Sequence, residues 1–145
     1  VSVKHGPSPG RGRSFLDMKA TLGIIIGYVV WTIVWLAGNA GLSGAGLIPR
    51  ASGVRVEGWV SLTALLVLSV VASLGGGYMA RTIAKTGLAP VILGVLLLLT
   101  GIAVQWGSRD LMPVWYHVVF LVLLMPLTLL GARQSAAGRP ARPTP

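Results

Sequence analysis

Four apolar stretches, residues 20–38, 58–80, 88–106 and 112–131, constrain this chain more than anything else in it. Each is about as long as the ~20 residues an α-helix needs to cross a ~30 Å hydrocarbon core. Apart from His117, none contains an acidic or basic side chain. In a chain of 145 residues, what remains is too short to cover four such helices in water. Lipid removes the difficulty, because a helix pairs its backbone N–H and C=O groups within itself. The expected fold is therefore all-α. It is a transmembrane four-helix bundle over residues 18–133, with helices at about 20–38, 58–85, 88–106 and 112–131. The flanks, residues 1–17 and 134–145, are basic and rich in Pro and Gly, so they are expected to be disordered.

Composition sharpens the solvent and removes several chemistries. Charged residues make up only 10% of the chain, against about 25% in soluble domains. The absence of cysteine excludes disulfides, thiolate metal sites and thiol catalysis together. A net charge of +9 would suggest nucleic acid in a soluble protein. Here the Lys and Arg residues are scattered outside the apolar stretches, without a basic stripe interleaved with aromatics, so no nucleic-acid partner is expected.

Those charges are instead a topology signal. With four crossings, one side holds Lys4, Arg11, Arg13, Lys19, Arg81, Lys85, Arg133, Arg139 and Arg142, and the other holds Arg50, Arg55 and Arg109. Nine against three places both termini in the cytoplasm. Met18-Lys19 stands directly before the first stretch as a natural start, and removing everything ahead of it still leaves six against three. The first stretch is longer than the ~7–15-residue apolar core of a signal peptide and carries Tyr28, Trp31 and Trp35, so it reads as a retained helix. Trp59, Trp106 and Trp115 fall at helix ends on the outer side, at the depth amphipathic rings prefer, and Trp35 is expected to join that belt. The chain is thus expected in the bacterial cytoplasmic (inner) membrane as a multi-pass protein, with the bilayer as its first partner.

The connections are also legible. Gly87 is expected to close helix two, with Pro90 in the first turn of helix three. Asp110 is the expected N-cap of helix four, with Pro113 inside its first turn. Both turns are short, which predicts helices two, three and four as antiparallel neighbours. Pro126, inside helix four, should clash with the Val122 carbonyl and kink the helix. Between lipid-embedded helices small residues mark contact faces. Gly23 and Gly27 form a GxxxG on helix one; Ser69, Ser73 and Gly77, beside Ala72, Gly76 and Ala80, form a double stripe on helix two. These stripes make helix two the expected packing centre and leave room for a homo-oligomer or another membrane protein as partner. The run Gly75-Gly76-Gly77 could also serve as a hinge.

Few residues could carry chemistry. An ionisable group within a membrane segment is a functional candidate by default. His117, with Gln105, Asn39 and Glu57, is expected to form a polar cluster near the outer face, able to hold a cation, a proton or a lipid headgroup. The plainer reading is a histidine that fixes packing. A lone membrane histidine supplies neither a metal site nor paired haem ligands. No carboxylate lies within the four stretches to couple proton transport, and Ser69 and Ser73 lie from the middle of helix two towards its cytoplasmic end, whereas His117, the base a serine would need, is near the outside. No catalytic residue, cofactor or metal is expected. The leading expectation is a non-enzymatic structural or accessory component. A small oligomeric transporter or channel subunit, and a lipid-binding or envelope-sensing module, are the alternatives.

The strings GYVVW (residues 27–31) with WLAGN (35–39), SVVASLGGGYMAR (69–81), TGIAVQ (100–105) and MPVWYHVVFLVLLMPLTLLGAR (112–133) resemble a group of small bacterial four-helix membrane proteins. The resemblance runs from about residue 18 to 133. It implies a four-helix integral membrane protein starting at Met18, and it brings no activity, cofactor or partner.

Overall fold

The computed structural model describes residues 10–51 and 53–137, which form four helices and no strand. They are α1 (Gly10–Gly44), α2 (Trp59–Ala84), α3 (Leu88–Gly107) and α4 (Val114–Ala137). All four are long and apolar enough to cross a membrane, α1 through Asp17–Gly44. By length and composition this is a multi-pass membrane protein.

The helices overrun their apolar stretches. Of the expected disordered flanks, residues 1–9 and 138–145 lie outside the described residues, whereas 10–17 and 134–137 are helical. Extending an existing helix is far easier than nucleating one, so polar residues beside a membrane span join it readily. At its other end α1 continues past residue 38, where the Asn39 amide donates to the Trp35 carbonyl at 2.8 Å.

Both short turns differ in detail from expectation. α2 ends at Ala84, and the left-handed residue is Lys85 (φ 57°), whose N–H bonds Arg81 O at 3.0 Å. Gly87 is right-handed (φ −74°) because it already serves as N-cap of α3, which begins one residue later. Asp110 does not cap α4, which starts only at Val114; its carboxylate pairs with Arg109 at 3.5 Å. Pro90 lies in the first turn of α3 as its missing N–H permits, and α4 runs on through Pro126.

α2 is the centre and touches each other helix, most extensively α1 and α4. On α1, residues 23, 27 and 31 are buried while Leu22, Ile25, Val29, Ile33 and Leu36 face outward. Gly27 and Gly76 meet backbone to backbone. A Cβ on Gly27 would lie 2.8 Å from Gly76 O, and one on Gly76 would lie 3.0 Å from Gly27 O. Gly23 likewise lies against Ala80 and Ala84, and the Trp31 indole N–H donates to Ser73 Oγ at 3.3 Å. Partner numbers thus fall along α2 as they rise along α1. The GxxxG and Trp31 meet Ser73, Gly76 and Ala80 of the double stripe inside one chain, so these residues leave no argument for self-association.

The second face of α2 meets α4. Gly77 abuts the Thr128 backbone, Gly131 abuts the Leu74 backbone, and Ser135 Oγ bonds Thr82 Oγ1 at 2.8 Å. Because Thr82 already donates to Tyr78 O at 2.8 Å, Ser135 is the donor. Here the close approach is a crossing, with residues 74–77 against 128–131 and the Thr82–Ser135 pair further along both helices, and α4 takes the place beside α2 that the short turn suggested for α3. The reason is Gly131, a small residue facing Gly77's helix that lets two backbones approach; α2 and α3 make the smallest interhelical contact. Ser69 is buried, with no hydrogen-bond partner for its hydroxyl among the described residues.

Ser73→Ala removes the acceptor of the buried Trp31 N–H. It is expected to lower stability by about 0.6 kcal/mol, and by no more than about 1.7, the range for hydrogen bonds between membrane helices. Unfolding by graded denaturing detergent, followed by Trp fluorescence, measures it.

Candidate functional site

α1 and α3 touch lightly, and the space between them is shaped by rings. Along α1, Tyr28, Trp31, Thr32, Trp35 and Leu36 recur at i, i+3, i+4, i+7 and i+8, which is one helical face. Along α3, Thr100, Gly101, Val104 and Gln105 recur at i, i+1, i+4 and i+5, again one face, with Ser108 just past the helix end. Tyr116 and Phe120 of α4 close the third side, and Met112 stands at the rim of the α3–α4 turn. These residues enclose a cavity of about 330 Å³. It has five aromatic rings and no charged side chain in its wall.

The rings brace one another. Trp31 and Trp35 stack with centroids 5.9 Å apart at 7°, Trp35 meets Phe120 edge-on at 5.4 Å, and Phe120 stacks on Tyr116 at 6.1 Å. Gly101 lies close against α4, where a Cβ would fall 2.7 Å from Leu124 Cδ1 and make that side chain turn aside. Tyr28 Oη bonds Thr100 Oγ1 at 3.1 Å; Thr100 donates to Leu96 O, so Tyr28 donates to Thr100. Thr32 and Ser108 return their protons to carbonyls of their own helices. Three polar groups of the wall remain. The Tyr116 hydroxyl and the Trp35 indole N–H have no hydrogen bond among the described residues. The third is the Gln105 amide, engaged by His117.

That engagement is all that is left of the expected four-residue polar cluster. His117 Nδ1 lies 2.6 Å from Gln105 Oε1, and Nε2 lies 3.2 Å from Met112 O. The Met112 carbonyl accepts only, so Nε2 carries a proton. The Gln105 amide, turned to present its NH2, then meets Nδ1 as the donor. Asn39 and Glu57 are not part of this pair. Asn39 bonds its own helix at Trp35 O, and Glu57 forms an exposed ion pair with Arg55 at 2.9 Å. Among the described residues no three His, Cys, Asp or Glu side chains converge as metal ligands.

The tryptophans divide into two sets. Trp59, Trp106 and Trp115 are exposed at one end of the bundle, with Trp59 stacked on Trp115 at 5.1 Å and Arg109 over Trp106 at 5.6 Å. Trp35, expected in that belt, instead joins the interior stack against Trp31 and Phe120. Reading single tryptophans by depth missed the cavity. The signal was the periodic stripe 28–31–35 on helix one, matched by the small and polar stripe 100–101–104–105 on helix three.

Comparison with family models, curated proteins and solved structures gives no match.

Proposed function

We propose that this chain is a non-enzymatic, multi-pass component of the bacterial inner membrane that binds a neutral, lipid-soluble ring compound within its bundle. In this reading it crosses four times with both termini cytoplasmic, α1 and α2 running antiparallel, as do α3 and α4. The Lys and Arg distribution and the exposed Trp59, Trp106 and Trp115 support that orientation.

The single observation that carries the binding role is the aromatic cavity between α1, α3 and α4. Its volume of about 330 Å³ falls at the small end of ligand pockets, which are mostly apolar with a few placed polar groups. An uncharged wall selects an uncharged guest, because a buried charge without a partner is strongly disfavoured. Tyr116 Oη–H and Trp35 Nε1–H offer donors, so a flat guest with carbonyl or ether acceptors fits best. Its apolar remainder would stack on the rings.

A two-ring naphthoquinone titrated into the purified chain in mild detergent tests this by calorimetry. Saturable binding of one molecule per chain is expected. Tyr116→Phe removes one donor and should weaken binding about fivefold, the equivalent of one net hydrogen bond of roughly 1 kcal/mol. Val104→Trp, at the exposed rim, should block entry while leaving the fold intact. Binding that never saturates, or that is unchanged in both variants, would sink the reading.

A further inference from the structure

A second cavity lies at the opposite end of the bundle, where α2 and α4 end and α3 begins. It measures about 250 Å³ and is bounded by Arg81, Arg133, Gly87 and Pro90 around a floor of Leu129 and Ala132. The two arginines come from different helices but share a level, since Thr82 and Ser135 beside them are hydrogen-bonded at 2.8 Å. Neither guanidinium has an ion pair or hydrogen bond among the described residues. A Cβ built on Gly87 would fall 3.2 Å from Arg81 Nη1, so this guanidinium lies over the start of α3. The free N–H groups of that first turn add further positive potential to the cavity. No carboxylate lines it.

We infer that this cavity binds the phosphate of an anionic lipid headgroup. Two unpaired guanidiniums at the mouth suit a phosphate diester, whose oxygens they can engage through paired N–H donors. The apolar floor suits the glycerol and first acyl carbons, which a free phosphate ion lacks. Both arginines stand just beyond the apolar stretches ending at residues 80 and 131, which is headgroup depth. Basic pockets between membrane helices are a recurring mode of headgroup binding. The site is independent of the aromatic cavity and of which side of the membrane this end faces.

The full chain in detergent micelles, titrated with short-chain phosphatidylglycerol and read by native mass spectrometry, tests it. Phosphatidylglycerol should bind well above phosphatidylcholine, and excess inorganic phosphate should not displace it. Arg81→Gln with Arg133→Gln should weaken binding roughly 30-fold, at about 1 kcal/mol per arginine. Arg55→Gln with Arg109→Gln, at the other end, should leave it unchanged. Ala136→Trp keeps both charges but narrows the cavity; it should also weaken binding, and it decides the matter if the double arginine variant does not fold. Equal binding of phosphatidylcholine, displacement by inorganic phosphate, or the same loss from the opposite-end pair would each overturn the proposal.

Discussion

Gly77→Val is expected to break the α2–α4 contact and cost 3 kcal/mol or more, at the upper end for overpacked cores. A Cβ at residue 77 would enter the Thr128 backbone, which cannot swing aside as a side-chain tip can. Gly131→Val should do the same from the other side, against Leu74. Gly75→Ala is the decisive control. Its Cβ would meet only Val30 Cγ1 at 3.9 Å, so it should be neutral or gain up to about 1 kcal/mol from helix propensity. Detergent unfolding followed by circular dichroism ranks the three. Equal behaviour of Gly75→Ala and Gly77→Val would mean that α2 and α4 do not meet as described. That outcome would return the glycine run to the hinge reading.

The second large effect is all-or-none. Reporter fusions after residue 137 and within the loop of residues 45–58 should fall on opposite sides of the membrane. A fluorescent protein should mature only at the C-terminus, and alkaline phosphatase should be active only in the loop. Both on the same side would remove the four-crossing orientation and, with it, the assignment of Trp59, Trp106 and Trp115 to an outer belt.

Much of the bundle was legible in the sequence because lipid imposes a length rule on uninterrupted apolar residues. Helix existence followed from that rule, and the centrality of α2 followed from its small residues. Helix ends did not, because nothing local stops a helix at residues 38 or 131. The expected caps failed for a related reason: Asp110 and Gly87 are residue types suited to helix ends, but the turns place α4's start and the left-handed backbone of Lys85 elsewhere. Of the polar cluster, His117 and Gln105 meet because α3 and α4 form a tight hairpin. Asn39 was drawn off by its own helix, a competition always open to a short amide four residues from a carbonyl.

The four apolar stretches by themselves determined the solvent, the helix count and the scarcity of ionisable groups within the membrane. They also determined that α2 would carry small residues on two faces. Only the tertiary structure decided which partner each face meets, since a glycine stripe permits close approach without naming the helix that approaches. It also decided that Trp31, Trp35, Tyr116 and Phe120 turn inward together. Interior and lipid are equally apolar, so hydrophobicity does not sort an inward ring from an outward one. The fit of backbones at Gly27–Gly76 and Gly77–Thr128 does, and that fit leaves the gap between α1 and α3 that the rings line.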